Sequence, residues 1–302
     1  MKNKSNLYSK YQKYVKDKDL SVKNYIDEAL LKTKSMFKYN GLPDSLPYFE
    51  LEKILQTNGY GFIIKHDGEL ICLKGGLGGQ LDVYDNPTKI TVANPALNIN
   101  DTFDIKQDGV LMLNDSQKRG LLPVLGKYAV LLTDTNISLN TVAILSRITL
   151  LISASDDKTK ESADKFVNDI LNGDFSIIGE NTFFDGVNVQ SSTHSQTGQI
   201  TPLIELLQYY KSGLLSEIGL NSNFNMKRER LTNNEVNLNT DSLLPSINNM
   251  LEERRRAVNT LNSKYGTDIK VQLSELWSNK LPKEAKDEVK DEAKDEAKDD
   301  NQ

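Results

Sequence analysis

Thr201-Pro202-Leu203-Ile204-Glu205-Leu206-Leu207-Gln208-Tyr209-Tyr210-Lys211-Ser212-Gly213-Leu214-Leu215-Ser216-Glu217-Ile218-Gly219 is the stretch whose reading decides the architecture. Thr201 is a fitting N-cap, Pro202 suits a first turn and Gly219 suits a stop. At 3.6 residues per turn, Thr201, Glu205, Gln208, Ser212 and Ser216 share one narrow arc. Leu203, Ile204, Leu206, Leu207, Tyr209, Tyr210, Leu214, Leu215 and Ile218 take most of the remainder. A helix that is apolar on nearly every side must be covered on nearly every side. The spacing predicts a second such helix over Ser138–Ile152, which carries Leu139, Val142, Ala143, Ile144, Leu145, Ile148, Leu150, Leu151 and Ile152. Two arrangements satisfy this pair. One is a central helix hairpin buried within a single domain. The other is a ring in which each helix packs against copies on both flanks and shows only its polar stripe to a wet channel.

Toward the N-terminus the texture differs. Residues 1–20 are Lys-rich, with Tyr8, Tyr11 and Tyr14 interspersed, and read as a mobile arm. A helix is predicted from Ser21, carrying Ile26, Leu30 and Phe37, with Asn40-Gly41-Leu42-Pro43 as its stop. A second helix runs from near Pro47 to Asn58-Gly59. Tyr60–Lys65 and Glu69–Lys74 flank the hairpin signal His66-Asp67-Gly68. Further strands are predicted at Leu81–Tyr84, Thr88–Ala93, Phe103–Gln107, Val110–Leu113 and Lys127–Thr133, with Asp108-Gly109 as a second hairpin turn. Together they suggest a small, strongly curved antiparallel sheet or barrel.

Between the two apolar helices, Asp156–Asn172 reads as an amphipathic helix, Phe175–Ile178 and Gly186–Val189 as short strands, and Gln190–Gly198 as a polar loop. Beyond Gly219, Asn221–Asp241 is long, polar and loop-like, a feature that is often functional in a compact chain. A helix over Ser242–Tyr265 and a strand over Asp268–Leu273 follow. The end repeats a Lys-Asp-Glu-Ala/Val unit.

The 302 residues, 38% of them hydrophobic, suffice for a sizeable core. The net charge of −5 is unevenly spread: the first 20 residues carry +4 and Leu281–Gln302 carry −4. A single cysteine, Cys72, allows no internal disulfide, and the Lys-rich start has no apolar core behind it, so no signal peptide is expected. The apolar run at 141–152 is short and broken by Arg147, which argues against a membrane span.

Enzymatic chemistry finds little support. His66 and His194 fall in a turn and a polar loop, and two histidines with one cysteine make no zinc framework. Gly75–Gly79 lacks the Gly-Lys-Ser/Thr ending of a phosphate loop and lies between strands, so a tight sheet corner is the expectation. Ser191-Ser192-Thr193-His194-Ser195 forms no nucleophile elbow. No catalytic residue, metal or cofactor is expected. Lys227, Arg228 and Arg230 in the long loop, and Arg254, Arg255 and Arg256 on the last helix, suit phosphate contact without base reading; surface salt bridging is the alternative for each group, strengthened on the helix by Glu252 and Glu253.

Two stretches carry a family resemblance. One runs from Gly59-Tyr60-Gly61-Phe62 through Gly79-Gln80-Leu81-Asp82-Val83-Tyr84 to Ala93-Asn94-Pro95. The other is Lys227-Arg228-Glu229-Arg230-Leu231 with Asn234-Glu235-Val236, then Leu261-Asn262-Ser263-Lys264-Tyr265-Gly266 and Ile269-Lys270-Val271. On these residues the chain resembles the upper collar, or connector (portal), proteins of small short-tailed, terminal-protein-primed double-stranded DNA phages, over about Ser21 to Leu273. Residues 134–198 match by pattern only, and the acidic tail has no clear counterpart.

The resemblance implies an α+β portal fold with a helical stem, a small SH3-like antiparallel sheet in the wing and a small α/β clip. Its parts map to a basic arm (1–20), wing (21–137), first stem helix (138–152), clip (153–199), second stem helix (200–219), channel-facing loop (220–241), C-terminal wing helix and strand (242–279) and charged tail (280–302). It further implies a homododecamer at the capsid vertex, conducting double-stranded DNA during packaging and ejection. Lys227, Arg228 and Arg230 would contact DNA, and the stripe Thr201, Glu205, Gln208, Ser212 and Ser216 would face the lumen. The implied partners are the major capsid and scaffold proteins, lower collar and tail proteins, and a transient packaging ATPase. In some members a packaging RNA binds the connector, but the arm here is no clear match. The implied location is the virion, with the host cytoplasm during assembly. Other readings are a sequence-nonspecific nucleic-acid-binding protein that forms no ring, and an enzyme with an unrecognised site.

Overall fold

The computed structural model describes residues 7–145, 150–154, 161, 187–191, 196–219 and 244–278. The chain divides into two compact units, Met1–Ser21 with Val130–Tyr210, and Val22–Ala129 with Lys211–Gln302. In chain order come α1 (Leu7–Lys16), α2 (Lys18–Thr33), β1 (Phe37–Asn40), α3 (Tyr48–Asn58), β2 (Tyr60–His66), β3 (Glu69–Leu73), β4 (Gly76–Leu81), β5 (Pro87–Asn94), β6 (Ile99–Asp104) and β7 (Val110–Leu113). Then follow α4 (Leu122–Leu145), β8 (Leu150–Ala154), β9 (Val187–Ser191), α5 (Ile200–Ile218), α6 (Leu244–Tyr265), β10 (Lys270–Leu273) and α7 (Glu275–Ser278). The architecture is α+β, as expected: helices with small antiparallel sheets.

Local chemistry sets several boundaries where the sequence places them. Pro47 precedes α3, and Gly59 ends it in the left-handed region at φ 89°, donating its N–H to Leu55 O. A Cβ at Gly59 would lie 2.3 Å from the Lys118 carbonyl oxygen, so glycine is required both for backbone angle and for space. Asp67 and Gly68 both take positive φ, the turn that suits the right-handed twist of the β2–β3 hairpin.

The second unit contains two three-stranded antiparallel sheets, ordered β3-β2-β7 and β4-β5-β6. Phe62, Ile64 and Leu73 from the first and Ile90, Val92 and Ile99 from the second bury together in one small core. A larger core gathers Leu51 and Leu55 of α3, Leu125 of α4, Ile218 of α5 and Ile247, Met250, Leu251, Val258 and Leu261 of α6. Against it lies the β1–β10 pair, in which Phe37 faces Leu273.

Several expectations are corrected. Residues 7–20, expected to be a mobile arm, are helical in α1 and in the start of α2. Phe37, expected on a helix, lies in β1, because its partner strand β10 stands more than 230 residues away and no local signal reveals it. The glycine run is not a corner: Gly76–Leu81 is strand β4, whose register with β5 shifts between Gly78 and Leu81, and Leu81–Tyr84, expected as a strand, leads into a turn. Phe103–Leu113 is no hairpin, because β6 pairs with β5 while β7 pairs with β2. Asp104 and Asp108 turn the chain from one sheet to the other: Asp104 Oδ1 accepts from the N–H groups of Lys106 and Gln107, and Asp108 Oδ2 from that of Asp104.

Lys127–Thr133, expected as a strand, is helical within α4. The buried positions Leu125, Tyr128, Ala129, Leu132 and Thr133 recur at three and four residues, the helical period and not the alternation of a strand. The predicted helix Ser138–Ile152 is likewise redrawn, since α4 begins at Leu122 and Leu150–Ala154 is strand β8, pairing with β9 from Leu150↔Ser191 to Ala154↔Val187. An apolar run rich in β-branched residues fits either element, and here a distant partner decides. The expected helix Asp156–Asn172 (Glu161 excepted), the strand Phe175–Ile178, the loop 220–241 and the tail 280–302 lie outside the described residues.

Candidate functional site

Helix α5 carries the predicted stripe. Thr201 and Gln208 are exposed and Glu205 is half-buried; further along, Ser212 and Ser216 are half-buried. Leu203, Leu207, Tyr210 and Leu214 are half-buried and Ile218 is buried, three or four residues apart. Apolar side chains remain open on both sides of the stripe. At helical spacing, Ile204 (42% exposed) falls on one side, with Leu206 (36%) and Tyr209 (51%) on the other. Ile204, Leu206 and Tyr209 thus stand exposed beside the polar strip in the first half of α5.

Within the second unit, α4 and α5 meet at close quarters. Lys127 Nζ pairs with Glu217 Oε1 at 2.7 Å, and the Tyr128 hydroxyl donates to the same oxygen at 2.8 Å. The hydrogen bond from Lys127 holds the Glu217 carboxyl below its ordinary range, with the Tyr128 hydroxyl adding to the effect. Gly213 sits beneath the tyrosine ring, and a Cβ there would fall 2.8 Å from the Tyr128 hydroxyl oxygen.

The basic cluster of α6 is divided between the interior and the surface. Arg254 points inward and is completely buried together with Glu52. All five of its N–H donors are used: Nε and Nη2 reach the two Glu52 oxygens at 2.8 and 2.9 Å, Nη2 also reaches Asn114 Oδ1, and Nη1 reaches the carbonyls of Asn114 and Met250. The guanidinium carbon stands 3.9 Å from the Phe37 ring centroid. Glu52 accepts further bonds from the Tyr39 hydroxyl (2.6 Å) and from Gln56, which in turn bonds Thr33. Burial, followed by the Glu52 charge, pushes the Tyr39 phenol well above its ordinary range. This network ties α2, β1, α3, the loop after β7 and α6 into one body.

Arg255 and Arg256 pair with Glu252 and Glu253. The inward course of Arg254 is legible in the sequence, because it falls in step with Ile247, Met250, Leu251, Ala257, Val258 and Leu261 on the apolar face of α6. A charge in that register needs a buried partner. Lys264, in the second family-like stretch, donates to the carbonyls of Lys106, Gln107 and Gly109 and so closes the turn between β6 and β7. Lys227, Arg228 and Arg230 lie outside the described residues.

Asp82, Val83 and Tyr84 of the first family-like stretch lie at the tip of the β4–β5 hairpin. Asp82 Oδ1 accepts the N–H groups of Tyr84 and Asn86, Asp82 N donates to Asn86 O, and Lys118 Nζ reaches Asn86 Oδ1 at 2.9 Å. The backbone bonds to Asp82 hold its carboxyl below its ordinary range. On this braced turn, Val83 is 90% exposed and Tyr84 83% exposed.

Among the described residues no helix is long and apolar enough to cross a membrane, and no group of three or more His, Cys, Asp or Glu is placed to hold a metal ion. A solved structure similar to the chain is a chain of the "Portal and tail of native bacteriophage P68", at 19% identity over 99% of each chain, with a TM-score of 0.48. The family model described as Phage Connector (GP10) matches residues 8–277, which takes in every described element from α2 to β10. On that match the chain belongs to the Phage Connector (GP10) family and is a bacteriophage connector, or portal, protein.

Proposed function

We propose that copies of this chain close into a dodecameric ring at the capsid vertex, through which double-stranded DNA enters during packaging and leaves at ejection. The observation that carries this reading is α5, with a polar strip bracketed by exposed Ile204 on one side and Leu206 and Tyr209 on the other. Contiguous exposed apolar surface rimmed by polar groups marks an interface. An apolar flank on each side of one strip suits heterologous contacts, which repeat by rotation until they close. The strip of Thr201, Glu205, Gln208, Ser212 and Ser216 then lines the bore. A polar wall of this kind holds phosphates weakly and reads no sequence, as sliding DNA requires. Lys227, Arg228 and Arg230 supply the cations of a channel-facing loop.

The ring is a structural conduit and not an enzyme. It joins the head, through the major capsid and scaffold proteins, to lower collar and tail proteins. It meets a packaging ATPase transiently, and a packaging RNA is a further partner to test. The site of action is the head–tail vertex of the virion, reached from the host cytoplasm during assembly. Native mass spectrometry with negative-stain microscopy of the purified chain tests the reading. Closed rings of twelve copies are the expected result. Monomers or dimers that bind DNA would favour a nonspecific nucleic-acid-binding protein and overturn the ring.

A further inference from the structure

The face at which the chain leaves the second unit complements the residues that follow. Trp277 of α7 is buried, and its Nε1 donates to Ser35 Oγ at 3.0 Å, just past the end of α2. Ser274 N, just before α7, donates to Met36 O. The last described helix therefore ends, at Ser278, against the link between α2 and β1. Around that link the surface is open among the described residues. Leu31 is 63% exposed, Phe49 42% and Tyr48 39%, and the two rings stand 4.0 Å apart between centroids. Lys34 Nζ lies over the Phe49 ring, 5.8 Å from its centroid. Lys32 and Lys53 are paired with Glu28 and Glu50. Glu52 is paired with the buried Arg254. Lys34 and Lys38, each within three residues of Ser35, hold no ion pair among the described residues.

We propose that the chain's own C-terminal segment, residues 279–302, docks on this face. Leu281 would cover Phe49 and Leu31, and Glu284, Asp287 and Glu288 would pair with Lys34 and Lys38. Three observations favour this occupant. The segment starts where Trp277 is bonded to Ser35, so its first residues are delivered to the patch. Its reach suffices: Glu284 is six residues past Ser278, up to about 20 Å away, while Lys34 and Lys38 lie within about 10 Å of Ser35 along the chain. Its charge is opposite, because residues 281–302 carry −4. Exposed ion pairs are individually weak. Tethering compensates, because it holds the carboxylates near the lysines at an effective concentration of about a millimolar or more. The family match ends at residue 277, so the docked segment lies beyond the shared part of the chain. Any partner of the Tyr48–Phe49 face must then displace it. The proposal is independent of the ring.

The test uses the unmodified full chain and a carbodiimide, which joins an amine to a carboxylate that touches it, followed by peptide mass spectrometry. Links from Lys34 or Lys38 to the carboxylates of residues 284–292 are expected, in material that keeps the single-chain mass of 33.9 kDa under denaturing conditions. Their yield should fall about 5-fold between 0.01 M and 1 M salt, as the screening length shrinks from about 30 Å to about 3 Å. Tail links spread evenly over exposed lysines such as Lys65 and Lys89, or no tail links at all, would overturn the proposal. Links confined to covalent dimers would place the tail on another copy and overturn it as well. A second measurement compares acetylation rates in the full chain and in a chain ending at Ser278. Lys34 and Lys38 should react about 5-fold faster without the tail, with Lys89 unchanged; equal rates would overturn the docking.

Discussion

Replacing Glu52 with alanine is expected to destabilise the second unit more than any other single charge deletion among the described residues. Glu52 is fully buried and accepts from Arg254 Nε and Nη2, the Tyr39 hydroxyl and Gln56 Nε2. Its removal strands a buried guanidinium with two open donors and leaves a phenol and an amide short of an acceptor. Breaking a buried pair by deleting one partner costs about 3–5 kcal/mol. For a unit of this size each kcal/mol lowers Tm by about 2–4 °C, which gives a drop of roughly 6–20 °C. The internal control is Glu252→Ala, which removes an exposed pair with Arg255 at 3.4 Å; it is expected to cost under about 1 kcal/mol. Differential scanning calorimetry at one fixed protein concentration reads both, since association of copies would make Tm concentration-dependent. The cycle is closed by Glu52→Leu, Arg254→Met and the two together. Replacing a buried pair by apolar residues is often close to neutral, so the double variant should lose less than the sum of the singles, with a coupling of about 0.5–3 kcal/mol. A Glu52→Ala protein melting within about 2 °C of the parent, or a double variant as damaged as the summed singles, would refute the reasoning.

Three further outcomes are expected. Neutralising Lys227, Arg228 and Arg230 to glutamine should leave ring assembly unchanged in native mass spectra but impair packaging or retention of DNA; normal packaging would remove these residues from the channel. Gly213→Ala should weaken the Tyr128–Glu217 hydrogen bond, because the new methyl would lie 2.8 Å from the Tyr128 hydroxyl oxygen, offsetting the roughly 0.5–1 kcal/mol that alanine gains over glycine in a helix; calorimetry should find Gly213→Ala more stabilising in a Tyr128→Phe background than in the parent. Cys72 is half-buried in β3, and desolvation pushes its thiol up to about 12 from 9.0. It should therefore resist iodoacetamide at pH 8 until denaturant is added. The same raised value gives a stability contribution that is complete below pH 9 and is lost as the pH climbs from 9 toward 12, where the unfolded thiol ionises and the folded one does not. Rapid native-state alkylation would refute the raised thiol value.

Local signals were legible where the chemistry is local. Pro47 and Gly59 bracket α3, Asp67-Gly68 closes the β2–β3 hairpin, and Gly266 follows α6, because backbone angles at these residues depend on their own side chains. The polar strip of α5 and its two apolar flanks were also readable, since helical period alone assigns residues to faces. The inward Arg254 had a signal, its register with Met250 and Leu261, but the run of five charges from Glu252 to Arg256 hid it. Pairing across long distances left no local mark: nothing near Phe37 announces Leu273, nothing near Leu150 announces Ser191, and nothing in Phe103–Leu113 says that its two strands serve different sheets.

By itself the sequence determined that the run over 201–219 is a helix needing cover on most of its sides, and that several glycine- and aspartate-bearing turns fall where they do. These properties follow from composition, period and single-residue backbone preferences. Only the tertiary structure decided which ambiguous apolar runs became helix or strand, which arginine became a buried anchor, and that Val83 and Tyr84 stand in water on a braced tip. A β-strand or a buried charge is stable only through a partner, and the partners here lie from tens to more than two hundred residues away along the chain.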